Sequence, residues 1–125
     1  MAGTHEIATY SLRYTSTKMT TNWSGFVFKN HGWIICDGSE TNDRLLITIA
    51  PDDELLHPGK TVTQPHGSGT ADVGFIAIRR ADLYAMVDLL RNEKPVYMRV
   101  NLPPKDSFNE IYTGTEPVGE GETGG

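Results

Sequence analysis

The clearest hydrophobic pattern lies between Val73 and Leu102 and predicts a strand, a helix and a second strand. Residues 73–78 are almost all apolar, which is typical of a strand covered on both faces. The next apolar residues follow at helical spacing: Leu83, Met86, Val87 and Leu90. The last piece alternates, with apolar Val96, Met98, Val100 and Leu102. We therefore expect one helix, from about Arg80 to Asn92, packed on a sheet.

The remainder of the chain predicts short strands separated by turn-forming residues. In Glu6–Tyr14, one apolar face is formed by Ala8, Tyr10, Leu12 and Tyr14. Ser16–Asn22 is polar and rich in Thr, and it predicts a loop or a frayed strand edge. A hairpin is expected around Asn30-His31-Gly32, because Asn and Gly tolerate positive φ. The other predicted strands are Trp23–Phe28, Trp33–Cys36, Leu45–Ala50, Lys60–Gln64 and Phe108–Thr113.

About seven short strands and one helix predict an α+β fold. The strands should form a mainly antiparallel β-barrel or sandwich, with the helix at residues 80–92 covering a face or an end. The pattern does not decide between barrel and sandwich. We expect residues 1–113 to form a single globular domain. Residues 114–125 are rich in Gly and Glu and predict a flexible acidic tail.

Composition narrows the classes of partner. The 125 residues carry a formal net charge of −5, which argues against general nucleic-acid binding and against docking on anionic lipid. The apolar runs are too short to cross a bilayer, and the N-terminal residues lack signal-peptide features, so a soluble cytoplasmic protein is expected. The single cysteine, Cys36, lies in an apolar run, which predicts a buried and unreactive thiol.

The chain contains no preset catalytic or metal-binding motif. Its four histidines are not spaced for joint metal binding on one strand or helix, so no metal and no cofactor are predicted. Loops could still bring His31, His57 or His66 close to a carboxylate. Ser68 lies between two glycines but lacks the G-x-S-x-G pattern of a nucleophile elbow. These observations favour a protein that is not an enzyme without deciding the question.

Two sets of side chains are candidates for binding. Trp23, His31, Trp33 and His66 are candidates for lining a small-ligand pocket. Arg79 and Arg80 lie at the predicted helix start, where positive charge is unfavourable, so they are candidates for binding an acidic partner. That partner would belong to this chain or to a neighbouring subunit, and the acids considered are Glu110, Glu116, Glu120 and Glu122.

The leading hypothesis is a small non-catalytic interaction module that self-associates as a homo-oligomer or binds a protein partner. It rests on the absence of a preset motif and on the frequency with which small β-rich domains protect their sheet edges by pairing. The alternative is a small-ligand binder or enzyme with a His- and aromatic-lined pocket. The Gly124-Gly125 end resembles that of ubiquitin-like proteins and sulfur carriers and implies activation at Gly125, although more strands precede the helix here than in that fold.

Overall fold

A computed structural model describes residues 3–114, which form seven strands and one α-helix. The strands are β1 (Gly3–Trp23), β2 (Phe26–Gly38), β3 (Arg44–Ala50), β4 (Lys60–His66), β5 (Gly69–Arg79), β6 (Val96–Val100) and β7 (Glu110–Thr113). One 3-10 turn, Arg80–Asp82, leads into the helix α1 (Leu83–Asn92), and another, Lys105–Phe108, precedes β7. The predicted α+β class and the predicted helix are confirmed. The predicted tail from residue 115 onward, with Gly124-Gly125, lies outside the described residues.

The strands form one open sheet in the order β4-β5-β3-β2-β1-β6-β7. Every neighbouring pair is antiparallel except β3 and β5, which run parallel, with Leu46 opposite Phe75. Because the sheet does not close on itself, the fold is sandwich-like, which answers the choice that the sequence left open.

The first hairpin differs most from the prediction. The segment Ser16–Asn22, expected as a loop or a frayed edge, is part of β1, and the chain reverses at Ser24 and Gly25 instead of at residues 30–32. Both turn residues have positive φ, 50° and 96°, as a two-residue type I′ hairpin turn requires. The hairpin turn predicted at Asn30-His31-Gly32 is therefore wrong, because strand pairing continues through this segment.

Residues 30–32 instead form one side of a large β-bulge. Pairing shifts from Tyr14 opposite Gly32 to Met19 opposite Asn30, so residues 15–18 of β1 face only His31. The buried amide of Asn30 holds the bulge by accepting a hydrogen bond from the Gly32 N–H at 2.9 Å. A bulge bends its strand. The far half of the hairpin consequently folds over one face of the sheet, where its tip contacts β4.

The core consists of two clusters, one on each face of the sheet. The first contains Ile34, Cys36, Leu45, Ile47, Met98 and Val100. The second contains Phe28, Trp33, Leu46, Val73 and Phe75. Strand β5 contributes to both faces, as its continuous apolar run predicted. The predicted helix stripe packs on the first cluster, although α1 has no fully buried residue.

Candidate functional site

One side of β1 has no strand partner among residues 3–114 over most of its length. Strand β6 pairs only with residues 3–6, whereas β2 follows the other side as far as Trp23. Among residues 3–114, no other backbone group pairs with this side beyond Glu6. Unpaired strand edges expose N–H and C=O groups that can pair with another chain. The outer side of β1, from Ile7 to Trp23, is therefore an open edge.

The open edge carries a short apolar stripe, formed by Tyr10, Leu12 and Tyr14. These three residues pair with residues 32–36 of β2 and face the same side of the sheet as the first core cluster. Tyr10 packs against that cluster, whereas Leu12 is 47% exposed and Tyr14 is 45% exposed. We call these three residues the edge stripe. The apolar face predicted for this strand exists in part, but much of it faces solvent and Ala8 is exposed.

Two predicted site residues hold one end of the edge stripe in place. The His31 ring stacks on the Tyr14 ring at a centroid distance of 6.1 Å. The Arg80 guanidinium donates a hydrogen bond to the Tyr14 hydroxyl at 3.3 Å and forms an ion pair with Asp52. The hydrogen bond from Arg80 lowers the pKa of the Asp52 carboxyl, so this pair stays ionised. These contacts restrict the orientation of Tyr14 without covering it.

The arginine pair has its partners in the loop that follows β3. Arg79 donates to the carbonyl oxygens of Pro51 at 3.1 Å and Glu54 at 2.6 Å. Arg80 has its acidic partner in Asp52, which was not among the acids considered from the sequence. Glu110 instead pairs with Arg99 at 3.0 Å. The other acids considered, Glu116, Glu120 and Glu122, lie outside the described residues. A role of the arginines in binding a partner stays a prediction.

The four candidates for a ligand pocket are only partly brought together. The rings of Trp23 and Trp33 meet edge to face at a centroid distance of 5.7 Å; Trp33 belongs to the second core cluster and Trp23 packs against it. The Trp23 indole N–H donates to the Gln64 side-chain oxygen at 2.9 Å, which fastens the hairpin tip to β4. His31 lies at the bulge beside Tyr14, and His66 lies exposed at the end of β4. A pocket lined by all four residues stays a prediction that this arrangement does not support.

A cavity of about 280 Å³ lies elsewhere, between the first hairpin and the segment that follows β3. Its wall includes Thr20, Val27, Lys29, Glu54, Leu55 and His57. We call it the hairpin cavity. Sequence patterns did not indicate it, because its two walls come from segments about 25 residues apart whose approach depends on the bulge.

Burial keeps His57 neutral at the inner wall of the hairpin cavity. Its ring contacts those of Phe26 and Phe28, at centroid distances of 5.1 and 5.9 Å. Nδ1 lies 2.7 Å from the Pro58 carbonyl oxygen, which can only accept, so Nδ1 carries the proton. Nε2 then accepts a hydrogen bond from the Thr48 hydroxyl, 2.6 Å away. Burial lowers the pKa of His57 below its ordinary value of 6.5.

We expect this shift to make folding stability depend on pH. The unfolded chain protonates His57 at a higher pH than the folded chain does. The free energy of unfolding should therefore decrease as pH falls through 6.5 towards the lower pKa of the folded state. Urea unfolding across this interval should show that His57→Gln reduces the slope. His66→Gln, at an exposed histidine, should keep the wild-type slope. Equal slopes for wild type and His57→Gln would contradict the expectation.

Several other kinds of chemistry have no site in the part of the chain that the structure describes. Burial raises the pKa of the Cys36 thiol to about 12, so a thiolate nucleophile does not form at neutral pH. No group of three or more His, Cys, Asp or Glu side chains within residues 3–114 is placed to hold a metal ion. None of the helices in this range has the length and apolar character needed to span a membrane. The expected cytoplasmic location stays a prediction.

Comparisons with known proteins point to no family. No protein-family model, no curated protein and no solved structure matches this chain.

Proposed function

We propose that this protein is a non-catalytic interaction module that self-associates by pairing its open β1 edge with the same edge of a second copy. The observation that carries the proposal is the edge stripe, an apolar, half-exposed stripe on a strand edge that no strand of the described residues 3–114 covers. A closed two-fold dimer would pair the backbone groups of the two edges along the edge stripe, because each copy offers the same surface to the other.

Symmetry restricts how two such edges can pair. A two-fold axis perpendicular to the sheet keeps each face of the sheet on the same side in both copies. Directly opposed residues must therefore face the same side of the sheet. This requires one residue to lie directly opposite its own copy, with the axis midway between the two. With the axis at Leu12, this residue lies opposite its own copy, and Tyr10 lies opposite the partner's Tyr14.

The edge stripe suits this register because its apolar positions are symmetric about Leu12. The order Tyr10, Leu12, Tyr14 has the same character in both directions, so every apolar residue meets an apolar residue. Aromatic cross-strand pairs of this kind contribute roughly 0.2–1 kcal/mol each. Arg13 faces the other side of the sheet, with its guanidinium 5.3 Å from the Trp33 ring, and so does not place a charge between the stripes.

A single cysteine at position 12 should report this register directly. In an antiparallel pair, opposed Cα atoms lie about 4.5–5.5 Å apart, within the range that a disulfide spans. Leu12→Cys should therefore form a disulfide-linked dimer under mild oxidation. Ser11→Cys alone should not, because Ser11 lies opposite the partner's Arg13. In a Cys36→Ala background, needed because Cys36 lies directly opposite position 10 on β2, a mixture of Tyr10→Cys and Tyr14→Cys should give the mixed dimer in preference to either homodimer. The native Cys36 is fully buried, so the wild-type protein should form no disulfide-linked dimer and serves as the negative control.

Leu12→Lys should weaken the dimer without disturbing the fold, because this side chain is half exposed in one copy. The apolar contact between the two Leu12 side chains is lost and two ammonium groups face each other, and a loss of about 1.4 kcal/mol corresponds to a tenfold change in the dissociation constant. Sedimentation equilibrium should show dissociation at least roughly tenfold weaker than for wild type. Leu56→Lys, at another apolar residue that is 44% exposed, is the matched control and should dimerise normally. A monomeric wild type at high concentration would contradict the proposal.

A further inference from the structure

We infer that the hairpin cavity and the adjoining edge of β2 form a second binding site, for a short extended peptide that carries a carboxylate two residues before an apolar side chain. This site is separate from the edge stripe, and its occupant is a peptide segment of another protein. Four features of the hairpin carry the inference: its register, the exposed walls of the cavity, the charges around it and the absence of any strand of residues 3–114 beside it.

The register of the hairpin determines which backbone groups face the cavity. In a hairpin with a two-residue turn, the residues that flank the turn, Trp23 and Phe26, exchange hydrogen bonds with each other. Hydrogen-bonded and non-hydrogen-bonded pairs then alternate, so Phe28 bonds to β1 while Val27 and Lys29 direct their N–H and C=O groups away from it. Both residues line the cavity.

No strand of the described chain takes up these groups. Strand β3 pairs with β2 only from Trp33 to Asp37, because the bulge bends the rest of the hairpin away. Within residues 3–114, no loop backbone bonds to Val27 or Lys29 either. An added strand supplies the missing partners, which is the way in which extended peptides bind at sheet edges.

The cavity beside this edge has the size and the wall of a side-chain pocket. Leu55 is 92% exposed and Val27 is 57% exposed, so both walls present apolar surface to solvent. A peptide residue opposite Val27 lies on the same face of the sheet as Val27 and hence on the cavity side. An apolar side chain at that position would cover both walls within the roughly 280 Å³ available. The apolar residue of the peptide is assigned to this position.

Charge selects the second residue of the peptide. Lys18, close to the cavity, is already neutralised by Asp53 at 3.0 Å and Glu54 at 3.7 Å. Lys29 makes no ion pair within the described part of the chain. A carboxylate opposite Lys29 would complement it. Because Lys29 and Val27 are two residues apart, and antiparallel pairing is the more stable mode, the carboxylate precedes the apolar residue by two positions.

The test compares two peptides of identical composition by NMR titration of the isotope-labelled full chain. The first is acetyl-Thr-Glu-Thr-Leu-Thr-amide, and the second is the reversed acetyl-Thr-Leu-Thr-Glu-Thr-amide. We expect the first to shift the amide resonances of Val27 and Lys29 saturably and to bind several-fold more tightly than the second. Repeating the titration with Leu12→Lys separates this site from self-association, since the result should be the same in that variant.

Two substitutions test the roles of the charge and of the backbone. Lys29→Glu should weaken binding of the glutamate peptide roughly three- to tenfold, because attraction is replaced by repulsion. It should also strengthen binding of acetyl-Thr-Lys-Thr-Leu-Thr-amide, a gain that unfolding cannot produce. Lys94→Glu, at another exposed lysine, is the matched control and should change neither affinity. Val27→Pro removes the outward N–H while leaving the hydrogen bonds between β1 and β2 in place, and it should abolish binding.

Three results would overturn the inference. The first is the absence of saturable shifts at Val27 and Lys29 with the glutamate peptide. The second is equal affinity for the two peptides of identical composition. The third is unchanged peptide preference in Lys29→Glu. None of them depends on whether the wild type dimerises, so failure here is distinguishable from failure of the proposed function.

Discussion

Replacing Gly32 with alanine is expected to lower the free energy of unfolding by about 3 kcal/mol or more, combining positive-φ strain with a steric clash. Gly32 has φ of 117°, a conformation that residues with a side chain rarely adopt. A Cβ atom at this position would lie 2.0 Å from the Arg13 carbonyl oxygen and 2.8 Å from its carbonyl carbon. These atoms belong to the paired backbone of β1, so relieving the contact requires the two strands to separate at the bulge.

Gly67 provides the matched control for this substitution. It also has positive φ, 58°, but no atom of the described residues lies within 4 Å of the position that a Cβ would occupy. Gly67→Ala should therefore lose only about 1–2 kcal/mol, the conformational cost alone. Urea unfolding followed by far-UV circular dichroism would measure both losses. Equal losses for Gly32→Ala and Gly67→Ala would show that the close approach to Arg13 is unimportant.

Gly32→Ala should also affect self-association. Gly32 lies directly opposite Tyr14, at the end of the edge stripe. Separation of the strands at this point would shift Tyr14 away from His31 and Arg80, which orient it. We therefore expect Gly32→Ala to weaken the dimer even under conditions where it remains folded, as sedimentation equilibrium would show.

Replacing Phe75 with alanine is expected to cost about 3–5 kcal/mol of stability, the range for truncating a large buried aromatic side chain. Phe75 is fully buried at the centre of the second core cluster. Its ring packs against three rings of the hairpin that folds over the sheet. The centroid distances are 4.9 Å to Phe26, 5.6 Å to Phe28 and 5.9 Å to Trp23. The substitution would leave a cavity between the hairpin and β5 that neither can fill.

Phe108→Ala is the matched control, because it removes the same atoms from a side chain that is 70% exposed. Its effect should stay within about 0.5 kcal/mol, as is usual for surface positions. Near-UV circular dichroism should show a loss of tryptophan signal for Phe75→Ala but not for Phe108→Ala, since the Trp23 ring rests on Phe75. If Phe75→Ala cost no more than Phe108→Ala, the hairpin would not depend on this cluster.

Much of the central architecture follows from periodicity. The apolar run at residues 73–78 predicted a strand buried on both faces, and Phe75 and Ile76 do contribute to opposite clusters. The helical spacing of Leu83, Met86, Val87 and Leu90 placed the helix and its packing face correctly. These features are local, because the face that a residue presents depends on the regular geometry of its own element.

Periodicity does not predict the first hairpin or either of the two candidate binding surfaces. Ser16–Asn22 is polar because its strand is largely solvent-exposed in the hairpin, and a polar strand has no apolar pattern by which to recognise it. Likewise, Asn30 and Gly32 have the composition of a turn but serve a bulge, Gly32 through its positive φ and Asn30 through its side-chain hydrogen bond from the Gly32 N–H. Turn propensity reports which φ angles a residue tolerates, whatever use the chain makes of them.

The α+β class, the helix and the strand that links the two core clusters follow from the order of apolar and polar residues, because alternation and helical spacing encode which side of each element avoids water. The open edge of β1, the contacts of His31 and Arg80 with Tyr14 and the cavity beside Lys29 arise only when distant segments come together in the fold. The reason is physical: these features depend on the register between distant segments and on a bulge that redirects a whole hairpin, and neither is encoded in the character of neighbouring residues.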